Sequence, residues 1–271
     1  MVVLKHFKLD NPYIIGYDID YYYRICHDHD FYEILFVLRG DAIHCVNDGV
    51  QILKAGDVVF VRPKDEHFLS PYGTSSEKYE FFNLHVTVRH METQFSYSKD
   101  LQNKLELSDL PLIVKLKPNE AAYMAKKLKK MNSMPFGAER EYLYYSILKD
   151  FLWHAIDYNK PGGKLQMPEW VENYIMDISK PDVFVMDYAE ISARANVSES
   201  YLWKVFKKYF NMTPTEYINS LRLEYAYENI LSGKYSLGDI AAMSGFNSYS
   251  YFYRKFVEKY EISPRKIIEK K

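Results

Sequence analysis

The stretch Ser236-Leu-Gly-Asp-Ile-Ala-Ala-Met-Ser-Gly-Phe-Asn-Ser-Tyr-Ser-Tyr-Phe-Tyr-Arg-Lys-Phe256 lies near the end of the chain, and its second half matches an earlier stretch. The matching residues stand 50 positions apart. A period of this length indicates that one supersecondary unit is used twice. The matching positions are Ser198, Tyr201, Leu202, Phe206, Phe210, Met212, Thr213 and Pro214 in the first copy, and Ser248, Tyr251, Phe252, Phe256, Tyr260, Ile262, Ser263 and Pro264 in the second.

Each copy predicts a helix, a tight turn and a second helix. Ser198 in the first copy, and Asn247 or Ser248 in the second, stand where a side-chain oxygen caps the second helix. Asn196 and Gly245 occupy the turns, and both residue types tolerate the left-handed backbone that such a turn needs. The turn of the second copy contains one more residue than that of the first. This pattern is typical of a helix-turn-helix, whose second helix enters the major groove of DNA.

The second helix of each copy divides into an apolar face and a polar face. Apolar residues recur at helical spacing and predict the buried face, which leaves aromatic and cationic side chains outward. Such side chains suit the base edges and phosphates of double-stranded DNA. The alternative is a pair of packed helical hairpins that has no role in DNA binding. The predicted DNA-binding residues are Ser200, Trp203, Lys204, Lys207, Lys208, Tyr249, Ser250, Tyr253, Arg254 and Lys255.

The pattern of the chain changes at about residue 119. Before it, short apolar runs separated by turn residues predict an antiparallel sandwich or barrel; after it, apolar residues recur at helical spacing. A Pro-Gly-Gly segment then indicates a linker. We expect two domains, an N-terminal all-β barrel with appended helices and a C-terminal all-α domain. The expected boundaries are 1–115 for the barrel, 116–158 for the appended helices, 159–167 for the linker and 168–271 for the two helix-turn-helix units.

Composition narrows the classes of protein. The 271 residues suffice for two ordinary domains, and the net charge of −1 argues against a protein that coats nucleic acid through bulk charge. The sequence contains no apolar run of about 18 residues and does not begin with the pattern of a signal peptide, so we expect no membrane partner. Two cysteines, Cys26 and Cys45, fit a reducing compartment. We therefore expect a cytoplasmic protein.

Histidines gather in the N-terminal half. His27, His29 and Glu33 fall on one face of a predicted strand, because side chains alternate with a period of two. His67 follows Pro63 at the entry of a later strand. Three histidines and a glutamate have the ligand types that bind a divalent transition metal.

The quoted stretch, together with Ser263-Pro264, resembles the signature of the AraC/XylS family of transcription regulators. Residues 198–208 resemble the first recognition helix of that family, and residues 221–226 resemble its connecting helix. The sequence departs from the family at Ser192, where Ala is usual, and at Asn196, where Gly is common. The resemblance implies two recognition helices that enter successive segments of the major groove, about 34 Å apart.

The spacing from His27 to Gly40 is similar to the first cupin motif. Gly56, Pro63 and His67 match the second motif in part, because Asp65 stands where an inner glycine is usual. A cupin-like barrel is the sensor half of AraC-like regulators, so the two resemblances agree. They imply a homodimer formed through the middle helices, and they associate the chain with sugar sensing and with activation, for which RNA polymerase is the partner.

Three interpretations of the barrel histidines stay open. In the first, a small polar effector such as a sugar binds in the barrel. In the second, the histidines are structural and hydrogen-bonded near the barrel mouth. In the third, His27, His29, Glu33 and His67 bind a divalent metal ion; otherwise we expect no cofactor. The predicted effector-binding residues of the first interpretation are Arg24, His27, His29, Glu33 and His67.

Together these features predict a sequence-specific DNA-binding regulator and no enzyme. Its expected partners are double-stranded DNA, a small-molecule effector, a second copy of the chain and, for an activator, RNA polymerase. The alternative is a metal-dependent cupin enzyme that uses the four barrel residues as ligands. This alternative leaves a helical half with two exposed recognition faces unexplained.

Overall fold

The computed structural model of the protein describes residues 5–7, 15–19, 25–47, 49–72, 79–157 and 167–269. Contacts divide the chain into two compact units. We call the first, with described residues 5–7, 15–19 and 27–157, the N-terminal unit, and the second, built on residues 167–269, the C-terminal unit. The predicted linker, apart from Met167, lies outside the described residues.

The N-terminal unit is built on two five-stranded sheets, with strand orders β1-β3-β8-β5-β6 and β10-β7-β4-β9-β2. Left-handed residues at Gly40, Asn47 and Gly56 turn the chain between successive strands. The described strands are β1 (Lys5–Phe7), β2 (Ile15–Ile19), β3 (His27–His29), β4 (Phe31–Arg39), β5 (Ala42–Val46), β6 (Gly49–Leu53), β7 (Asp57–Val61), β8 (His67–Pro71), β9 (Glu80–Thr87) and β10 (Ile113–Lys115).

Strand β4 is buried on both faces, which explains its almost continuous apolar sequence. Leu35 and Val37 share a core cluster with Leu69 of the opposite sheet, so odd-numbered residues face the space between the sheets. Ile34 and Phe36 belong to a second cluster formed with the helices. Because side chains alternate along a strand, Glu33 faces the same interior as Leu35.

Four helices cover the outer face of the second sheet with Met124, Leu128 and Phe151. The helices Pro118–Ser133 and Ala138–Asp157 lie where the helical spacing of apolar residues predicts them. The two helices before them were not predicted, although Thr87 and Ser98 cap them by accepting hydrogen bonds from backbone N–H groups. The helices of this unit are α1 (Val88–Phe95), α2 (Lys99–Glu106), α3 (Pro118–Ser133) and α4 (Ala138–Asp157).

Two details of the sheets differ from the sequence prediction. Strand β1 pairs with β3 in parallel rather than antiparallel, because β2 between them lies in the other sheet. The segment predicted as one strand with His27, His29 and Glu33 on one face is two strands, because the chain bends at Asp30 and crosses from the first sheet to the second. The three side chains nevertheless enter the same interior.

Over residues 167–269 of the C-terminal unit, all of the regular secondary structure is helical. Its core includes Phe206 and Phe210 around the first copy, and Phe252 and Phe256 around the second. In the described part of the chain, no helix combines the length and the apolar character of a bilayer span. The helices are α5 (Glu169–Ile178), α6 (Pro181–Phe184), α7 (Tyr188–Ala193), α8 (Glu199–Phe210), α9 (Pro214–Ser232), α10 (Leu237–Met243), α11 (Tyr249–Tyr260) and α12 (Pro264–Glu269).

Candidate nucleic-acid interface and buried histidine cluster

The first helix-turn-helix is fixed by local hydrogen bonds. Asp187 caps α7 by accepting from the N–H of Ala189, and Ser198 caps α8 by accepting from the N–H of Tyr201. Asn196 turns the chain with a φ of +52°. The turn and the Ser198 cap therefore lie where the sequence predicts them, and together with the Asp187 cap they set the direction in which α8 leaves the turn.

One face of α8 is exposed, and we call it the first exposed face. Leu202, Phe206 and Phe210 are buried, and Trp203 keeps 48% of its surface exposed. The Lys207 ammonium lies 5.5 Å from the centre of the Trp203 ring, within reach of a cation–π contact. The predicted residues on this face are Ser200, Trp203, Lys204, Lys207 and Lys208, of which Lys207 is half-buried and the others are exposed.

The second helix-turn-helix repeats the arrangement. Ser236 caps α10, Ser248 caps α11, and Gly245 turns the chain with a φ of +79°. A Cβ atom on Gly245 would lie 2.7 Å from the carbonyl oxygen of Val185, so the close approach of this backbone also requires glycine.

The exposed side of α11 forms the second exposed face. Phe252 and Phe256 are buried, and Tyr249 is 44% exposed. The Lys255 ammonium lies 2.9 Å from a carboxylate oxygen of Glu258, so this lysine is paired within its own helix. The predicted residues on this face are Tyr249, Ser250, Tyr253, Arg254 and Lys255, of which Lys255 is half-buried and the others are exposed.

Helix α9 connects the two copies. A capping box at Thr213 and Glu216 begins it, and Gly233 ends it in a left-handed conformation. Along its length, Arg222 donates to the carbonyl oxygen of Phe184 at 2.7 Å. Lys259 of α11 donates to the buried Glu224 of α9 at 2.7 Å. These contacts hold α6 and α11 against the helix that connects the two copies.

In the N-terminal unit, four strands bring a histidine cluster together. Glu33 of β4 pairs in register with His85 of β9, and His27 of β3 pairs with His67 of β8. We call His29, Glu33, His67 and His85 the histidine cluster. Glu33 Oε2 lies 3.7 Å from His29 Nε2 and 3.4 Å from His67 Nε2, and Glu33 Oε1 lies 3.7 Å from His85 Nε2.

The charges of the cluster follow from its burial. Burial raises the pKa of Glu33, but the surrounding histidines lower it well below its usual range, so the carboxylate is ionised. Burial holds the pKa of His67 well below its usual range. Burial also lowers the pKa of His29, yet the neighbouring Glu33 carboxylate outweighs it and the pKa is raised. The cluster is therefore a buried anion among imidazoles.

A chain of hydrogen bonds supports His67 from behind. His44 Nε2 lies 3.1 Å from His67 Nδ1, and His44 Nδ1 lies 3.1 Å from Gln51 Oε1. The Gln51 amide in turn donates to the carbonyl oxygen of Pro111 at 2.8 Å. Among these four residues the sequence predicts a functional role only for His67. His44 could have been found only from the pairing of β5 with β8, which places it diagonally across from His67.

The predicted effector residues divide into three groups. His29, Glu33 and His67 converge on one point. His27 is buried, and its ring lies against that of His67 at a tilt of 43°, with centroids 4.5 Å apart. Arg24 lies outside the described residues. The sequence prediction did not include His85, whose strand borders the same interior.

Known protein families match both halves of the chain. Residues 11–94 match the family described as AraC-like ligand binding domain, and residues 191–270 match the family described as helix-turn-helix domain. The chain is similar to the HTH-type transcriptional activator RhaS of Mannheimia succiniciproducens, with 26% identity over 89% of this chain and 88% of that protein. RhaS of Escherichia coli O81 is 24% identical over 89% of this chain and 86% of that protein.

Among solved structures, apo ToxT from Vibrio cholerae aligns with a TM-score of 0.45 and 17% identity, over 96% of this chain and 98% of that one.

Proposed function

This chain belongs to the AraC family of DNA-binding transcription regulators, and from that premise we propose that it activates transcription in response to a small polar ligand such as a sugar. The matching relatives are named transcriptional activators, which supports the sign of regulation. They are regulators and not enzymes, so we do not propose the metal-dependent enzyme.

The observation that carries the DNA-binding surface is the repetition of the two exposed faces. Each lies on the second helix of a helix-turn-helix, follows a serine cap and places a large aromatic residue outward. The exposed aromatic rings of Trp203 and Tyr249 interact only weakly with water. They suit contacts with the thymine methyl groups and base edges of DNA. We assign Ser200, Trp203, Lys204, Tyr249, Ser250 and Tyr253 to bases, Lys207 and Lys208 to phosphates, and Arg254 and Lys255 to either.

The effector site is proposed in the interior of the N-terminal unit. Asn83 precedes His85 on the same face of β9, and its buried Oδ1 has no hydrogen-bond partner among the described residues. An ionised Glu33 faces the same interior. These groups suit a ligand with several hydroxyl groups better than an apolar one. The proposed contacts remain His27, His29, Glu33 and His67, with Arg24 from outside the described residues.

We propose a separate function for each segment of the chain. Residues 1–115 sense the effector, and residues 116–158 cover the barrel and form the dimer. Residues 159–167 link the two halves, and residues 168–271 bind DNA. Effector binding then acts by its different affinity for two arrangements of a dimer. An activator of this kind contacts RNA polymerase at the promoter.

Selection of genomic fragments by the purified full-length chain tests this function. We expect the best fragment to bind at least about a thousand times more tightly than its scrambled version at near-physiological salt. That fragment then serves for in vitro transcription with RNA polymerase, with and without a panel of sugars. An affinity ratio near one between the best fragment and its scrambled version, with and without the sugars, contradicts specific DNA binding. Transcription that the protein leaves unchanged contradicts only the proposed activation.

A further inference from the structure

A cavity of about 430 Å³ lies on the outer face of the second sheet, between β4, β7, β10 and helix α3. We call it the outer cavity, and all of its lining residues belong to the N-terminal unit. Protein interiors are close-packed and leave few voids larger than a water molecule, so a space of this size needs a reason. Its volume falls within the range of small-molecule sites, about 300–1,000 Å³.

The outer cavity is separate from the interior that we propose for the effector. Phe36 and Leu38 of β4 line the cavity and belong to the core on the helical side of the sheet. Leu35 of the same strand belongs to the core between the two sheets, and Glu33 faces that interior with it. Strand β4 therefore separates the two spaces, and a ligand in one of them does not occupy the other.

The floor and one wall of the outer cavity are apolar. The floor consists of buried residues from the core that α3 forms with the sheet. Three alanines of α3 form the wall, and their short side chains leave the space open. Such a lining favours a hydrocarbon group, because binding removes the apolar surface of that group from water. The floor residues are Phe36, Val58, Leu116 and Met124, and the wall residues are Ala121, Ala122 and Ala125.

One ammonium group is held at the edge of the outer cavity. Lys115 of β10 pairs in register with Asp57 of β7, and its Nζ donates to Asp57 Oδ1 at 3.2 Å. Asp57 is buried, and its Oδ2 accepts from the backbone N–H of Lys54 at 2.8 Å, so the carboxylate is fixed. An ammonium has three donors, and the bond to Asp57 uses one of them. The Lys115 side chain is 55% exposed, so its other donors are available to an anion.

The charges around the mouth of the cavity also favour an anion. Asp57 carries the only carboxylate among the described residues that line the cavity, and Lys115 neutralises it. Lys54 and Lys117 are each next in sequence to a lining residue, and both are exposed. The Glu120 carboxylate accepts from the backbone N–H of Lys117 at 2.8 Å at the start of α3. Three ammonium groups therefore stand against two carboxylates, which leaves an excess of positive charge.

We propose that the outer cavity binds a small apolar molecule that carries one carboxylate, such as a medium-chain monocarboxylate. The hydrocarbon lies on the apolar floor, and the carboxylate accepts hydrogen bonds from Lys115 Nζ at the mouth. Asp57 holds the ammonium in place for this contact. This is a second ligand site, and it does not depend on the polar effector proposed for the interior or on DNA binding.

Calorimetric titration of the purified full-length chain tests the site, with octanoate as the probe. We expect one octanoate to bind per chain, and hexanoate to bind about tenfold more weakly because it buries two fewer CH₂ groups. 1-Octanol has the hydrocarbon without the charge, and acetate has the charge without the hydrocarbon. Both are expected to bind at least about tenfold more weakly than octanoate. A wild type that binds no octanoate, or that binds 1-octanol as tightly, would overturn the proposal.

Two variants locate the bound octanoate. Ala125→Leu fills the cavity from a half-buried position of α3 and is expected to abolish binding, whereas Ala138→Leu, at an exposed position of α4, is its control. Lys115→Gln keeps a hydrogen-bond donor for Asp57 but removes the charge, and we expect it to weaken octanoate about tenfold and to leave 1-octanol unchanged. Lys126→Gln, at an exposed position of α3 outside the cavity lining, is the control for this loss of charge.

Circular dichroism shows whether each variant is folded. Octanoate that binds folded Ala125→Leu and folded Lys115→Gln as tightly as the wild type lies elsewhere on the chain, and this result would reject the outer cavity as its site. The wild-type titrations decide the class of ligand even where a variant does not fold.

Discussion

At the scale of single residues, Trp203 gives the clearest means of separating base contacts from phosphate contacts. Its ring is half exposed on α8 and has the Lys207 ammonium 5.5 Å from its centre. We expect Trp203→Ala to weaken binding to the selected DNA site by about 1–3 kcal/mol and to leave binding to scrambled DNA nearly unchanged. Equal losses on both duplexes would remove Trp203 from the residues that contact bases.

Lys208 on the same helix is the matched control for Trp203. Its side chain is exposed, with the ammonium 4.7 Å from the centre of the Tyr209 ring. As a phosphate contact it releases counterions whatever the base sequence. We expect Lys208→Ala to weaken all duplexes alike and to reduce the slope of log affinity against log salt by about one. Fluorescence anisotropy at several salt concentrations measures both variants.

Asp65, the residue that departs from the cupin pattern, forms a buried ion pair with Arg62. Arg62 donates to both of its carboxylate oxygens at 2.8 Å, and both side chains are buried. Burial raises the pKa of Asp65, but the hydrogen bonds from Arg62 outweigh it and the pKa is lowered. We expect Asp65→Asn to destabilise the N-terminal unit by about 3–5 kcal/mol, because it leaves a buried guanidinium without its counter-charge.

Denaturant unfolding of the wild type and of Asp65→Asn measures this loss. Asp157→Asn, at an exposed position of the same unit, is the control and is expected to change stability by less than about 0.5 kcal/mol. Stability of Asp65→Asn close to that of the wild type would mean that the pair fixes geometry without stabilising the fold.

At the scale of elements, the turn of the second helix-turn-helix depends on Gly245. Its φ is +79°, and a Cβ atom there would lie 2.7 Å from the carbonyl oxygen of Val185. We expect Gly245→Ala to lower the stability of the C-terminal unit by at least about 1–2 kcal/mol. Gly238→Ala is the control, since its Cβ would meet only the Ser236 hydroxyl, at 3.8 Å. Calorimetry of both variants decides, and equal melting temperatures would contradict the expectation.

The two halves of the chain differ in how much of them the sequence could predict. The helix-turn-helix copies depend on local signals, such as the caps at Ser198 and Ser248 and the left-handed turns at Asn196 and Gly245. The histidine cluster depends on register between strands that are far apart in the chain. The motif spacing predicted that His29, Glu33 and His67 belong together, but it could not show His44 and Gln51 behind them or the crossing at Asp30.

At the scale of the whole molecule, α4 presents apolar side chains that no described residue covers. The buried residues of this helix pack on the sheet, whereas Tyr142 is 81% exposed, Trp153 64% and Ile156 48%. These three recur at helical spacing on one face, and a surface of this kind suits a two-fold interface. The proposed homodimer would use it.

We expect Trp153→Glu to convert the dimer into a monomer, because the substitution places a charge within the buried interface. Light scattering at micromolar concentration measures the mass of the wild type and of the variant. Lys149→Glu, on the same helix and also exposed, indicates how much of the effect arises from charge alone. A monomeric wild type would reject the dimer and leave both proposed sites standing.

Helices α8 and α11 both end at a left-handed residue that is not glycine, Asn211 at a φ of +55° and Glu261 at +56°. Glycine is the easiest residue at such a position, and a glutamate at the end of a helix also faces the negative pole of the helix dipole. Helix α11 of the second copy therefore ends less favourably with Glu261 than it would with glycine at this position. Because the unit is duplicated, a substitution at such a position changes one copy at a time. A substitution at Glu261 would raise or lower the stability of the second copy alone, without changing the side chains that face DNA.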